Sequence, residues 1–138
     1  MSIDLCKLVF DTGTLVLIWL VQLVIYPSFL FYSEEDLKHW HIKYTKRISV
    51  VVLPLMLAQL IFSGFQVYIA QNLYTIVNLA LLIVIWAITF GVFVPIHNGI
   101  SKNSATKIEL VKLVNYNWYR TLLWTIVFAL SFFNFISN

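Results

Sequence analysis

The chain has 138 residues, of which 61% are hydrophobic and only 11% are charged, and its mean hydropathy is +0.88. Because an ordinary soluble domain carries about 25% charged residues, this composition excludes a typical soluble enzyme and indicates a surface that faces lipid. The formal net charge of +3 is small, and the basic residues are not interleaved with a stacking surface, so no nucleic-acid partner is expected. The single cysteine, Cys6, excludes an internal disulfide and a cysteine-pair metal or redox motif.

Four apolar segments follow one another along the chain. A helix needs about 20 apolar residues to cross the hydrocarbon core of a bilayer. The segments that meet this requirement are residues 9–31, 48–70, 73–94 and 117–136. Every backbone amide inside lipid has to be paired within the protein, so we predict that these segments are helices. The sequence therefore predicts one transmembrane domain of the all-α class, an integral membrane four-helix bundle in contact with the lipid bilayer.

Basic residues are distributed unequally between the two ends of the predicted spans. Four spans place both termini on one side of the membrane, here called side A, together with the short link between the second and third spans. Side A carries only Lys7, whereas the opposite side, side B, carries Lys38, Lys43, Lys46, Arg47, Lys102, Lys107, Lys112 and Arg120. Cytoplasmic loops are enriched in Lys and Arg. We therefore predict that side B is cytoplasmic, that both termini lie outside, and that the protein is a multi-pass protein of the bacterial inner membrane.

The two side-B links resemble each other. Each contains a hydroxyl residue followed three positions later by an acid, which is a helix-capping pattern, and each preceding span has a Trp followed by a Pro. These residues are Ser33, Asp36, Thr106 and Glu109 in the links, and Trp19, Pro27, Trp86 and Pro95 in the spans. The pattern is either a duplicated helical hairpin or a chance match. Amphipathic lead-in helices are predicted at residues 33–47 and 106–117, each continuing into the next span.

Polar side chains gather at the side-B end of all four spans. Arg47 and Arg120 lie near lipid and have to reach headgroups, a partner or an anionic ligand, because an uncompensated charge there is costly. His41 and His97 suit proton transfer near neutral pH, and two neutral imidazoles also suit haem iron or copper. We predict these four residues as catalytic groups, the two histidines also as metal ligands. The predicted ligand-binding residues are Gln22, Tyr26, Tyr44, Asn98, Asn117, Thr121 and Trp124.

Other interpretations of the same residues remain open at this stage. Tyr, Trp, Lys and Arg all belong at a membrane interface, so the two arginines could be headgroup anchors. His41 and His97 have the alternative interpretation of hydrogen-bonded structural or interfacial residues, and His39 is expected on the solvated surface. The triplet Asp11-Thr12-Gly13 also occurs in aspartic proteases, but those enzymes need two such aspartates on a β-rich fold. Asp11 is therefore either a water-facing acid or a buried functional acid near side A.

Four short segments in chain order resemble a known family. They are "WLVQLVIYPSF", "WHIKYTKR", "VPIHN" and "NWYRTLLW". Their order resembles the small four-span bacterial membrane proteins of the anthrone oxygenase-like family. Residues 19–31 are also similar to the first haem-binding helix of HemJ-type protoporphyrinogen oxidase, although that family has a His on this helix and this chain has none there. Both resemblances imply oxidative chemistry on an aromatic or isoprenoid substrate within the bilayer.

Three functional hypotheses follow from the sequence. The first is a membrane enzyme, an oxidoreductase with haem or copper as cofactor, or a binding protein for a lipophilic small molecule held at the side-B polar layer. The second is a non-catalytic accessory or assembly subunit that packs against a partner subunit or forms a homo-oligomer. The third is a small transporter, which the duplicated hairpin favours and the expected absence of charge deep in the membrane disfavours.

Overall fold

The computed structural model describes residues 2–102 and 106–137 of the chain. All regular elements in these residues are helical, and they form α1 (Ile3–Phe31), α2 (Glu34–Ile69), α3 (Leu73–Ser101) and α4 (Lys107–Ser137). Each of these four helices is long and apolar enough to cross a membrane. The predicted fold class, an all-α membrane bundle of four helices, is confirmed, and the protein is an integral, multi-pass membrane protein.

The helices pack in chain order around the bundle. Helix α1 contacts α2 and α4, and α3 contacts the same two helices, so each helix has its sequence neighbours beside it. The link between α2 and α3 is short because Asn72 caps α3 at once: its side chain accepts a hydrogen bond from the Thr75 amide at 3.0 Å. This antiparallel arrangement brings the side-B ends of all four helices together.

Both capping residues predicted in the side-B links occupy helix starts. The Ser33 hydroxyl accepts from the Asp36 amide at 3.2 Å at the beginning of α2. At the beginning of α4 the Thr106 amide donates to the Glu109 carboxylate at 2.6 Å. From these starts the lead-in segments continue into the spans without a break, as one helix from Glu34 to Ile69 and another from Lys107 to Ser137.

The odd-numbered helices share an irregularity. A π-helical segment interrupts α1 at Val21–Ile25 and α3 at Thr89–Phe93. In each helix the second residue after this segment is a proline, Pro27 or Pro95. Proline cannot donate to the preceding turn, and π segments accommodate such a break within a continuous helix. The apolar segment predicted to end at residue 94 therefore continues as helix to Ser101. The shared irregularity favours the duplicated-hairpin interpretation.

The bundle is apolar outside and partly polar inside. Large hydrophobic side chains on all four helices are exposed at the protein surface, where lipid can cover them. The buried set includes many polar residues, namely Lys7, Asp11, Thr14, Gln22, His41, Gln59, Ser63, Gln66, Thr75, Asn78, Asn117, Arg120, Thr121 and Ser131. Polar groups inside a membrane protein mark binding sites and pathways, so the functional chemistry is expected along the bundle axis.

Candidate functional site

A cavity of about 290 Å³ occupies the side-B half of the bundle. All four helices contribute to its wall. The apolar part of the wall consists of Leu17, Ile18, Val21, Ile48, Val52, Leu53, Met56, Phe90, Phe93 and Val94. The polar part consists of Thr14, Tyr26, Tyr44, Thr45, Ser49, Thr89, His97, Asn98, Ser101 and Arg120, and Trp124 completes the lining. Small-molecule sites usually measure about 300–1,000 Å³, so this cavity suits a small ligand.

The most exposed residues of the cavity wall lie on α2 and α3, and we infer that the cavity opens sideways between these helices. Among its lining residues, Leu53 is 44% exposed, Phe90 is 50% exposed and Val94 is 38% exposed. These side chains lie within the apolar part of the two helices, so the opening faces the acyl chains of the bilayer. Asn98 is exposed nearer the side-B end of the same cavity. A lipophilic molecule could therefore enter from the membrane with its polar end toward side B.

Arg120 is the cation of this cavity, and it is only 6% exposed. Its guanidinium lies 4.2 Å from the ring centroid of Phe93 and 5.0 Å from that of Trp124. Its Nη1 donates to the Asn117 side-chain oxygen at 3.3 Å, and its Nε has no hydrogen-bond partner within the described residues. In the same part of the chain, the one ion pair joins two other residues. Arg120 is thus a buried cation with no carboxylate partner among the described residues.

A hydrogen-bonded network of polar side chains lies next to Arg120 and contacts it through Asn117. The Asn117 side chain donates to the Gln22 oxygen at 2.9 Å, and the Gln22 side chain donates to the Val114 carbonyl at 3.3 Å. Thr121 donates to the same Gln22 oxygen at 3.5 Å. None of these residues lines the cavity. Gln22, Asn117 and Thr121 were predicted as ligand-binding residues, but the structure places them where they orient the arginine.

Two histidines form the centre of a second polar group. His41 Nε2 lies 2.8 Å from His97 Nδ1, and the rings are stacked with centroids 5.0 Å apart. The outer nitrogens also have partners: His97 Nε2 lies 2.9 Å from the Tyr26 hydroxyl, and His41 Nδ1 lies 3.0 Å from the Ser101 hydroxyl. Four side chains from three helices are therefore joined in one continuous hydrogen-bonded chain.

The histidine pair does not fit a shared metal in this arrangement. Two nitrogens bound to one metal at about 2.1 Å with tetrahedral geometry would lie roughly 3.4 Å apart, farther than the two facing nitrogens. These nitrogens of His41 and His97 are separated by 2.8 Å. No group of three or more His, Cys, Asp or Glu residues lies together in the part of the chain that the structure describes. The haem or copper predicted at this pair stays a prediction that the geometry does not favour.

The remaining predicted residues divide into wall and surface positions. Tyr26, Tyr44 and Trp124 are buried and line the cavity, as Arg120 does. Arg47 is exposed and does not line the cavity, so the structure does not bring it to Arg120. His39 is exposed, as expected.

Ser101 and Phe93 are among the residues of the site that were not predicted from the sequence. Ser101 was overlooked although it follows His97 by four positions, which places both on one helix face. Phe93 is the last residue of the π segment of α3, and its ring centroid lies 4.2 Å from the Arg120 guanidinium.

A second buried polar cluster lies toward side A. Lys7 Nζ lies 2.5 Å from Asp11 Oδ2 and both side chains have no exposed surface, so Asp11 is the buried acid and not the water-facing one. Ser131 donates to the same carboxylate oxygen and accepts from Lys7, while Gln59 donates to the other carboxylate oxygen at 2.7 Å. Lys7, Asp11 and Arg120 are all buried inside the bundle, toward its two ends. The expected absence of charge deep in the membrane stays a prediction.

Gln59 connects the two clusters. Its amide nitrogen donates to Asp11, and its oxygen accepts from the Trp124 indole at 3.2 Å. Trp124 lines the cavity and faces Arg120. Polar contacts therefore extend from the cavity to the buried ion pair in the side-A half of the bundle.

Comparison with known proteins finds no relative of this chain: no protein-family model, curated protein or solved structure matches it. The resemblance to the anthrone oxygenase-like family therefore stays a prediction carried by the four segments quoted above. Function has to be inferred from the cavity and the residues around it.

Proposed function

We propose that this membrane protein binds a lipophilic molecule whose head group is anionic or is a polarised carbonyl. The head group pairs with Arg120, and the apolar tail lies between α2 and α3 and extends toward the lateral opening. The observation that carries this proposal is the state of Arg120, a buried guanidinium that faces a cavity and has no carboxylate partner among the described residues.

The energetics of the buried cation favour an anionic ligand. Removing a charged group from water costs several kcal/mol unless another charge or several hydrogen bonds compensate for it. The aromatic rings of Phe93 and Trp124 stabilise the guanidinium, but such cation–π contacts contribute only about 0.5–2 kcal/mol each. An anionic or carbonyl oxygen beside Arg120 would supply the missing compensation through a charge-assisted hydrogen bond.

The apolar wall favours a lipophilic tail. Burial of apolar surface contributes about 25 cal/mol per Å², so a short alkyl, aromatic or isoprenoid tail along Leu17, Val52 and Met56 would add affinity. The family resemblance supports the aromatic and isoprenoid classes. An oxidative conversion that uses haem or copper would need ligands other than the facing nitrogens of His41 and His97.

We also propose an orientation for the bundle. The excess of Lys and Arg at the side-B end supports placing the polar end of the cavity at the cytoplasmic face of a bacterial inner membrane, with both termini outside. In this orientation the head group of the ligand lies at the cytoplasmic end of the cavity, and its tail lies at the depth of the acyl chains.

The test is binding of a permanently anionic probe, decyl sulfonate, to protein in phosphatidylcholine nanodiscs. The variant Arg120→Gln should lower the affinity at least about tenfold, which corresponds to the loss of about 1.4 kcal/mol. The matched control is Arg47→Gln, which removes an exposed arginine of the same membrane face and should leave the affinity within about twofold.

Decanol, which has a comparable tail and no charge, should bind more weakly than the sulfonate. Equal affinities in wild type and Arg120→Gln would overturn the proposal. Mass spectrometry of the purified protein separates two sources of the anion. A retained anionic phospholipid would identify a lipid headgroup as the natural partner, and a smaller retained anion would identify a free ligand.

A second candidate function is transport, and the buried Lys7–Asp11 pair favours it. Ionisable residues inside a membrane bundle mark ion and substrate pathways, and polar contacts continue from this pair through Gln59 to the cavity. Proteoliposomes loaded with labelled decyl sulfonate distinguish the two functions. Release that depends on Asp11 would support a transporter, whereas binding without release would support a binding protein or enzyme. A stoichiometric partner subunit without either activity would instead support the accessory role.

A further inference from the structure

The hydrogen-bonded chain Ser101–His41–His97–Tyr26 has two distinct ends. Tyr26 and His97 line the cavity in which Arg120 lies. His41 has no exposed surface and does not line the cavity. It connects Ser101 to His97 through hydrogen bonds of its two ring nitrogens. Ser101 also lines the cavity, at the side-B end of α3, where its side chain is partly exposed, whereas Tyr26 is buried. The hydrogen-bonded series thus leads from the partly exposed side-B end of the cavity to the buried head-group position.

The order of atoms in this chain allows a proton to pass along it. A neutral imidazole has one nitrogen that donates and one that accepts. In the first arrangement Ser101 donates to His41, His41 Nε2–H donates to His97, and His97 Nε2–H donates to the Tyr26 oxygen. In the second arrangement every hydrogen bond runs the other way. Both arrangements satisfy all four ring nitrogens and keep both rings neutral.

We propose that Ser101, His41, His97 and Tyr26 form a proton relay that protonates the oxyanion of a lipophilic phenolate or enolate held in the cavity. This inference rests on the proposed binding function and adds a reaction to it. The substrate class is a lipophilic phenol or carbonyl compound, and the reaction class is general acid–base proton transfer.

The proton balance of the transfer closes without a net charge on the relay. Tyr26 gives its proton to the ligand oxyanion while its oxygen receives the proton of His97 Nε2. His97 Nδ1 then receives the proton of His41 Nε2, and His41 Nδ1 receives the proton of Ser101, which water replaces. The ligand gains one proton, the solvent loses one, and each residue ends with the number of protons it had. Reversal of the same steps removes a proton from a bound phenol.

The surroundings of the relay favour transfer through neutral rings. The charged or titratable groups that face it are Tyr44 from α2 and Arg120 from α4. Phe29 packs edge-on against His41, with ring centroids 5.6 Å apart, and closes this side to water. Arg120 stabilises the ligand oxyanion before transfer, and its positive charge disfavours a second cation on the nearby histidines.

A proton relay requires that His41 and His97 exchange between two tautomers, which can be tested. In ¹⁵N-histidine NMR spectra of the protein in bilayers, wild type should show both tautomers of His41 and His97 in exchange. Ser101→Ala removes the donor at one end and Tyr26→Phe removes the donor at the other, so the two variants should shift the tautomer populations in opposite directions. A single fixed tautomer in wild type that neither variant moves would overturn the relay, because a purely structural hydrogen-bonded pair needs only one arrangement.

The second measurement follows protonation of bound 2-naphtholate after a laser-induced drop in pH, at saturating probe concentration. His41→Gln interrupts the chain without touching the cavity and should slow protonation by about a hundredfold, the size typical of a lost acid–base group. His39→Gln, an exposed histidine on the same helix, is the matched control and should leave the rate unchanged. An unchanged rate in His41→Gln would overturn the relay.

The two proposals fail separately in these experiments. If decyl sulfonate binds in an Arg120-dependent manner but the tautomers are fixed, the binding function stands and the relay does not. If decyl sulfonate does not bind, the binding function itself is overturned, whatever the NMR spectra show.

Discussion

Lys7 and Asp11 are joined by an ion pair of 2.5 Å that has no exposed surface, four residues apart on α1. Ser131 of α4 and Gln59 of α2 complete the coordination of the carboxylate. The cluster therefore ties three of the four helices together at the side-A half of the bundle, opposite the cavity.

Removing one member of the ion pair should lower the free energy of unfolding much more than removing both members. Asp11→Leu leaves the Lys7 ammonium buried without its partner and should lower the free energy of unfolding by about 3–5 kcal/mol. The double variant Lys7→Met with Asp11→Leu removes both charges and should recover most of that loss. Unfolding in mixed detergent micelles, followed by circular dichroism, measures both changes. A double variant as unstable as the single one would show that the pair contributes by packing and not by charge compensation.

The position of Gln59 predicts a second loss of stability. Gln59→Leu removes the acceptor of the Trp124 indole and a donor to Asp11, so the free energy of unfolding should fall by about 1–3 kcal/mol for each partner left unpaired. Ser63 provides the control one turn away on α2, since its buried hydroxyl has no hydrogen-bond partner within the described residues. Ser63→Ala should leave stability unchanged or raise it slightly in the same unfolding assay. Similar losses in both variants would contradict the assigned hydrogen bonds.

Alanine substitutions at Gly13 and Gly64 should change the free energy of unfolding differently. A Cβ atom on Gly13 would lie 3.3 Å from Leu55 Cδ2 where α1 and α2 approach closely, and a Cβ on Gly64 would meet nothing within 4 Å. Gly64→Ala should raise the free energy of unfolding by about 0.5–1 kcal/mol, because alanine favours a helix more than glycine does. Gly13→Ala should gain less than this or lose stability, since Leu55 has to shift. Equal gains from both substitutions in parallel thermal scans would argue against the close approach.

A larger side chain at the sideways opening of the cavity should slow the association of the ligand. Leu53→Trp enlarges a side chain at the opening between α2 and α3 and should slow the association of decyl sulfonate about tenfold, a rate change commonly produced by altered access. Ile61→Trp adds the same bulk to another exposed position of α2, outside the cavity wall, and should leave association unchanged. Stopped-flow measurement in nanodiscs gives both rates. Equal association rates would mean that the probe enters from the side-B end.

The sequence predicted the spans and the polar side-B layer because these depend on local properties. Apolar length and charge counts are readable residue by residue, and the caps at Ser33 and Thr106 occur where the pattern placed them. The wall of the cavity was harder to predict. The two π segments each add a residue to one turn, which rotates all later side chains relative to a regular 3.6-residue period. Tyr26 and His97, which follow these segments, were therefore predicted from their polar character at the side-B end and not from α-helical spacing.

The two arginines illustrate a second limit of the sequence. Arg47 and Arg120 stand at the same distance from their helix caps, yet Arg47 is exposed and Arg120 is buried. The exposure of each arginine depends on how α2 and α4 are rotated about their own axes in the bundle. This rotation cannot be predicted from a local sequence pattern. The contact between Lys7 and Asp11, in contrast, depends on local spacing. Helical residues of opposite charge that are four positions apart often form an ion pair.

Under the proposed binding function, an opening of the cavity between Leu53 and Phe90 means that the ligand enters from the bilayer and not from the aqueous phase. A lipophilic molecule partitions into the membrane first, and its occupancy of the cavity then depends on its mole fraction among the lipids. Dilution with additional vesicles should lower occupancy even when the total ligand concentration in the sample is constant. The natural ligand is therefore best sought in the lipid extract of the host membrane, where it is already concentrated.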